Sequence, residues 1–172
     1  MTPPRRALHL VAFVLSGSSL CEAGDVAVCQ GEGPRYGDFK CNHDGTHRVC
    51  ATLVKNNTAT VEASTRNTAC EPLAWDNGRN FWEITGQARW QWNDKICSAP
   101  NPGTNWCICM WAFARLIDEV GCDNTHIDCA GTDVDFVLAQ YRDGSVKLGT
   151  AHTCLREKCR SGGVAKQIQT DL

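Results

Sequence analysis

From Trp106, apolar side chains recur at Met110, Phe113, Ile117 and Val120, at intervals of four, three, four and three. This stripe marks one face of an α-helix and predicts a central buried helix over about residues 105–120. Arg115 and Glu119 stand four apart on the other face, with Ile108 and Ala112. Gly121 suits the C-terminal stop. Further on, Val134, Val137, Leu138 and Tyr141 repeat at i, i+3, i+4 and i+7, a second amphipathic helix. Thr132 with Asp135 three residues later resembles a capping box at its start. Residues 151–159 carry a third helix. The apolar run 48–54 reads as a buried strand or short helix, and 125–129 as a short strand. Val146 and Leu148 could add another. Helices mixed with short strands and no internal repeat predict a small α+β fold.

The remaining pattern is polar. Gly31, Gly33, Pro34 and Gly37 break up the stretch between Cys29 and Cys41, and residues 56–67 hold almost nothing to bury. Asn56-Asn57-Thr58 is an N-glycosylation acceptor in that surface loop. At the N-terminus Arg5 and Arg6 precede the apolar stretch 7–15, which only His9 interrupts. Small and polar residues follow, ending in Cys21-Glu22-Ala23. Charge, short apolar core and small cleavage residues are the marks of a secretory signal, and the apolar stretch is too short to span a bilayer. The predicted organisation is a signal over 1–23, one disulfide-rich domain over 24–160 and a disordered tail over 161–172.

Composition sharpens this picture at one point. The chain has 172 residues, 42% hydrophobic and 21% charged, with a formal net charge of −2. No basic footprint for nucleic acid is present, nor a basic run for a membrane surface. Its 12 cysteines are the unusual feature. In a secreted chain they read as disulfides: Cys29, Cys41, Cys50, Cys70, Cys97, Cys107, Cys109, Cys122, Cys129, Cys154 and Cys159. Cleavage after Ala23 removes Cys21 and leaves an odd number, so one thiol would be free or joined to a disulfide-linked partner. Spacing does not define the pairing.

The chemistry-bearing candidates are few. In a helix, Cys107 and Cys109 lie about 200° apart around the axis, which favours two separate structural bridges over a bond between them. A helix N-terminus also lowers a thiol pKa, so Cys107 or Cys109 as a thiol redox or nucleophilic centre, with His47 as proton acceptor, stays open. Cys41, His43, His47 and Cys50 carry the donors of a tetrahedral zinc site, but oxidation would consume both thiols and Gly45 suggests a turn, so the preferred reading is a surface histidine pair with no cofactor. Asp123, Asp128, Asp133 and Asp135 miss the calcium-loop spacing. All 6 tryptophans fall between residues 75 and 111. They read as core, or, for Trp90 and Trp92, as a carbohydrate-stacking platform. In a strand, Trp90 and Trp92 would share a face.

Two motifs carry a resemblance. His47, Val49, Cys50 and Ala51 match a Ser-His-Thr-Val-Cys-Ala motif, and Gly103, Trp106, Cys107 and Cys109 match Gly-Asp-Arg-Trp-Cys-Leu-Cys-Ala. In combination they resemble a mostly bacterial family of small uncharacterised domains, domain of unknown function 2237, over about residues 41–140. The segment 81–87 is similar to the aromatic stretch that lies between those motifs in the family. The resemblance implies that His47, Cys50, Trp106, Cys107 and Cys109 meet in space, and it implies no activity. The family's later Ala-Thr-His-Glu histidine has no aligned counterpart here; His126 lies nearby. Together these features describe a secreted, disulfide-stabilised binding or structural module, with thiol chemistry and carbohydrate binding as the alternatives.

Overall fold

A computed structural model describes residues 25–33, 35–55, 70–75, 78–98 and 100–160. The signal, Asn56 and the tail expected from the sequence lie outside these residues. The described chain is α+β, with one two-stranded sheet and short helices around it.

Strand β1 (Val49–Thr52) pairs antiparallel with β2 (Asn105–Ile108), setting Val49 opposite Ile108, Cys50 opposite Cys107 and Ala51 opposite Trp106. Of the two options that the run 48–54 left open, the ladder selects strand. On the free edge of β1, the amide of Thr52 donates to the His126 carbonyl and that of Asp128 to the Cys50 carbonyl, both at 3.0 Å. The strand expected over 125–129 is thus one isolated bridge, Ala51 with Ile127.

Between the strands lie α1 (Phe81–Ile84), a 3₁₀ turn over Ala88–Trp90 and α2 (Asn93–Ile96). The helix after β2 is α3 (Met110–Val120). It buries Met110, Ala112, Phe113, Ala114, Leu116 and Ile117 and packs against α1 and against α5 (Gly149–Leu155). The expected stripe is present from Met110 onward, but residues 105–108 are strand. Tertiary contacts hold them extended: the Cys107 amide donates to Glu32 and its carbonyl accepts from Arg35. A short apolar run fits either conformation until its partners are known. Ala112 is buried, not on the open face. Gly121 ends the helix at φ 79° and ψ 159°, a region open to glycine and costly for other residues.

Helix α4 (Val134–Gln140) is capped by Asp133, whose carboxylate accepts from the Phe136 amide. The predicted Thr132–Asp135 box does not form, because the Thr132 hydroxyl donates to the Asp128 carbonyl at 2.7 Å and accepts from the Cys50 amide at 2.9 Å. Val146 and Leu148 make no strand; Leu148 instead precedes α5. A π-helical turn, Arg156–Arg160, continues α5 through the end of the third predicted helix.

Candidate functional site

An Asn80 capping box starts α1 and places Phe81 and Trp82 inward. The chain then turns at Gly86, with φ 74°. Arg115 of α3 donates to the Thr85 carbonyl at 3.2 Å and anchors that turn. The following 3₁₀ turn ends on Trp90, and Trp92 heads α2. Trp82 is fixed by a 2.9 Å bond from its Nε1 to Asn93. With Trp106 from β2, these indoles line a cavity of about 310 Å³. Trp92 meets Trp90 and Trp106 edge to face, with centroids 6.4 and 5.3 Å apart. Trp106 and Trp82 are buried and Trp92 half-buried, whereas Trp90 is 60% exposed, the one large hydrophobic side chain left so among the described residues. Trp90 and Trp92 share this cavity through a turn and a helix start, not through strand alternation.

Arg35, His47, Gln87 and Cys109 add polar groups to the lining. Arg35 is held from several sides. Its Nε and Nη2 donate to the two Glu32 oxygens at 2.9 and 2.8 Å, and Nη2 also donates to the Cys107 carbonyl at 2.7 Å. Its guanidinium lies 4.8 Å from the Tyr36 ring centroid and 4.9 Å from that of Trp106. Glu32 is fully buried and accepts a third bond from the Cys107 amide. Burial pushes the Glu32 carboxyl pKa up, against the pull of these donors. Glu32 thus ties the N-terminal segment to β2 and sets the guanidinium against Trp106.

His47 is oriented by Asp44, whose Oδ2 lies 2.9 Å from His47 Nδ1. Partial burial raises the Asp44 carboxyl, but bonds from Tyr36, the His47 ring and the amides of His47 and Thr46 outweigh it and hold the group well below the usual carboxylate range. The Tyr36 phenol is raised in turn, by burial first and then by its bond to Asp44.

No family model, no curated protein and no solved structure matches this chain. The site therefore rests on its own geometry.

Cysteines expected to cross-link do so in five bridges: Cys29–Cys50, Cys41–Cys107, Cys70–Cys97, Cys122–Cys154 and Cys129–Cys159. Cys109 departs from that expectation. It is free, half-buried at the N-cap of α3. Its backbone, at φ −77° and ψ 151°, is extended like the strand before it, so Cys107 and Cys109 follow strand alternation, not the 200° of a helix. Cys107 is bridged and leaves the thiol candidates. His47 and Cys109 line the same cavity, with no hydrogen bond between them.

Both cysteines of the candidate zinc set are bridged. The sulfurs of Cys29, Cys41 and Cys50 lie within 4.8 Å of one another. Cys41 and Cys50 are each oxidised into a bridge, and a bridged sulfur is not a thiolate ligand. His43 is paired with Asp38 and His47 with Asp44. Of the five residues that the resemblance implies meet in space, His47, Trp106, Cys107 and Cys109 line the cavity, and Cys50 sits opposite Cys107 in the ladder.

Sequence reasoning missed Glu32, Arg35 and Asp44. The local signals available were a Glu-Arg pair three apart and an aspartate three residues before His47, both ordinary in loops.

Proposed function

We propose that this chain is a binding module of the extracellular or secretory-lumen space, and that its tryptophan-lined cavity takes one ring of a small ligand. The carrying observation is the wall of edge-to-face indoles around about 310 Å³, with Trp90 exposed beside it. A cavity of this size, largely apolar with a few placed polar groups, is what small-molecule sites have in common. Five bridges support an oxidising compartment. No described helix is long and apolar enough to cross a membrane. The convergence of the motif residues supports kinship with domain of unknown function 2237.

The test is a titration of the protein with indole-3-acetamide and with methyl glucoside, followed by tryptophan fluorescence. A saturable change is expected with one of the two classes, and the sugar arm decides the carbohydrate reading. Trp90→Ala and Trp92→Ala should each weaken binding by about 0.5–1.5 kcal/mol. Absence of a saturable change with either probe removes the proposal.

A second reading, thiol chemistry, is favoured by a free Cys109 in the same cavity as an Asp44-oriented His47. Native-state alkylation with iodoacetamide, mapped by mass spectrometry, should then label Cys109, and more slowly in His47→Ala. An inert Cys109 ends this reading.

A further inference from the structure

The cavity's charge pattern says more about its occupant. Among the described residues no carboxylate lines it; the charged or titratable side chains that do are Arg35, His47 and Cys109. Glu32 occupies Nε and Nη2 of Arg35, and Nη1 has no hydrogen-bond partner among the described residues. Outside the lining, a second cation approaches the same wall: Lys95 Nζ lies 4.9 Å from the Trp92 centroid, with no acidic partner among the described residues. The faces of Trp106 and Trp92 therefore already carry cations of the chain itself, which disfavours a cationic ligand. The unused Nη1 and an unpaired ammonium favour an anion, and the guanidinium, held near the Tyr36 and Trp106 rings, can give a carboxylate one further charge-assisted hydrogen bond.

We propose, resting on the cavity reading, that the ligand is a ring-bearing carboxylate. Its ring packs on the exposed Trp90 indole, beside Trp92. Its carboxylate accepts from Nη1 of Arg35, and Lys95, outside the lining, adds charge attraction at longer range. Glu32 is the positioning residue: buried and bonded to Nε and Nη2, it leaves Nη1 as the donor available to the ligand. The chemistry is shared by aryl carboxylates and by sugar acids.

Calorimetric titration of the full chain distinguishes these sources with two matched pairs, indole-3-acetate against indole-3-acetamide and glucuronate against glucuronamide. In at least one pair the acid should bind about tenfold or more tighter than its neutral amide, the worth of a charge-assisted hydrogen bond. The pair that shows the preference names the source. Lys95→Met, at an exposed position, should reduce the acid–amide ratio about two- to threefold. Replacing the pair together, as Glu32→Gln with Arg35→Met, avoids stranding one charge and should bring the ratio near one. If the wild-type protein binds acid and amide equally well, the carboxylate proposal is overturned and the cavity reading stands. If none of the four probes binds, both fall. The wild-type comparison decides even if the double variant fails to fold.

Discussion

Glu32 is fully buried yet ionisable, and three donors from Arg35 and Cys107 surround it. A buried pair contributes little net stability relative to an apolar replacement, but removing one partner strands the other. Arg35 keeps some access to water, so Glu32→Ala should cost about 1–3 kcal/mol in urea unfolding, chiefly through the Cys107 amide left without its acceptor, and Glu32→Gln with Arg35→Met less. Arg48 and Asp133 form a more deeply buried pair at 2.7 Å, and Asp133 also caps α4. Asp44 acts through pH. Its carboxyl is held below the usual range in the folded chain, so the unfolded chain binds more protons as acid is added. The stability it supplies is complete above its unfolded pKa of about 4 and fades as pH falls through the lower folded value. Glu32 works the other way: its raised pKa lets the folded chain hold a proton more readily, so stability rises as pH falls toward the unfolded value. Asp44→Asn should be less stable than the parent at pH 7, and the gap should begin to narrow below about pH 4 and go on narrowing as pH falls further, as read from urea midpoints. None of these residues announces itself in the sequence, because an Asp or Glu in a glycine-rich loop is usually solvated.

The junction of β2 and α3 decides how the site is built. The stripe from Met110 to Val120 was legible because a helix face is a local periodicity. The residues before it were not, because Trp106 and Ile108 satisfy a period of two as well as they satisfy the helix. What selects strand is contact with β1 and with the N-terminal segment. Gly31 lies where that segment crosses β2. It has φ 112°, and a Cβ there would stand 2.4 Å from the Asn105 carbonyl oxygen and 2.8 Å from Ile96. The Asn105 amide donates to the Gln30 carbonyl at 2.7 Å, so the two backbones are in direct contact. Gly31→Ala should cost about 1–3 kcal/mol from backbone strain alone, more with the clash. By shifting β2 it should also weaken ligand binding. Thermal unfolding and the indole titration measure the two effects separately.

At the scale of the molecule, four of the five disulfides fall into two groups; the fifth, Cys70–Cys97, closes the loop that carries α1 and α2. Cys29–Cys50 and Cys41–Cys107 clasp the N-terminal segment onto a directly opposed pair of the ladder, beside the cavity. Cys122–Cys154 and Cys129–Cys159 tie α5 and the turn after it to the segment after α3. On the chain-entropy account, a bridge spanning 66 residues and one spanning 32 differ little, each worth about 4 kcal/mol. Their effects on function should differ. Cys41→Ala with Cys107→Ala should lower stability by that amount and also abolish binding in the indole titration. Cys122→Ala with Cys154→Ala should lower stability similarly and leave affinity unchanged.

The sequence alone determined what is local or compositional. An apolar stripe defined the body of α3, crowded tryptophans marked residues 75–111, and cysteine abundance implied a cross-linked domain. Helical periodicity and residue counts need no knowledge of the rest of the chain. Tertiary structure alone decided which sulfurs meet, why Cys109 is left over and how the Trp90 and Trp92 indoles come to wall a cavity. Each of those depends on segments tens of residues apart being brought together, as Cys41 is to Cys107. Spacing along the chain carries almost no information about proximity at such separations. Only the antiparallel register of β1 on β2, with Glu32 and Arg35 locked against it, supplies that information.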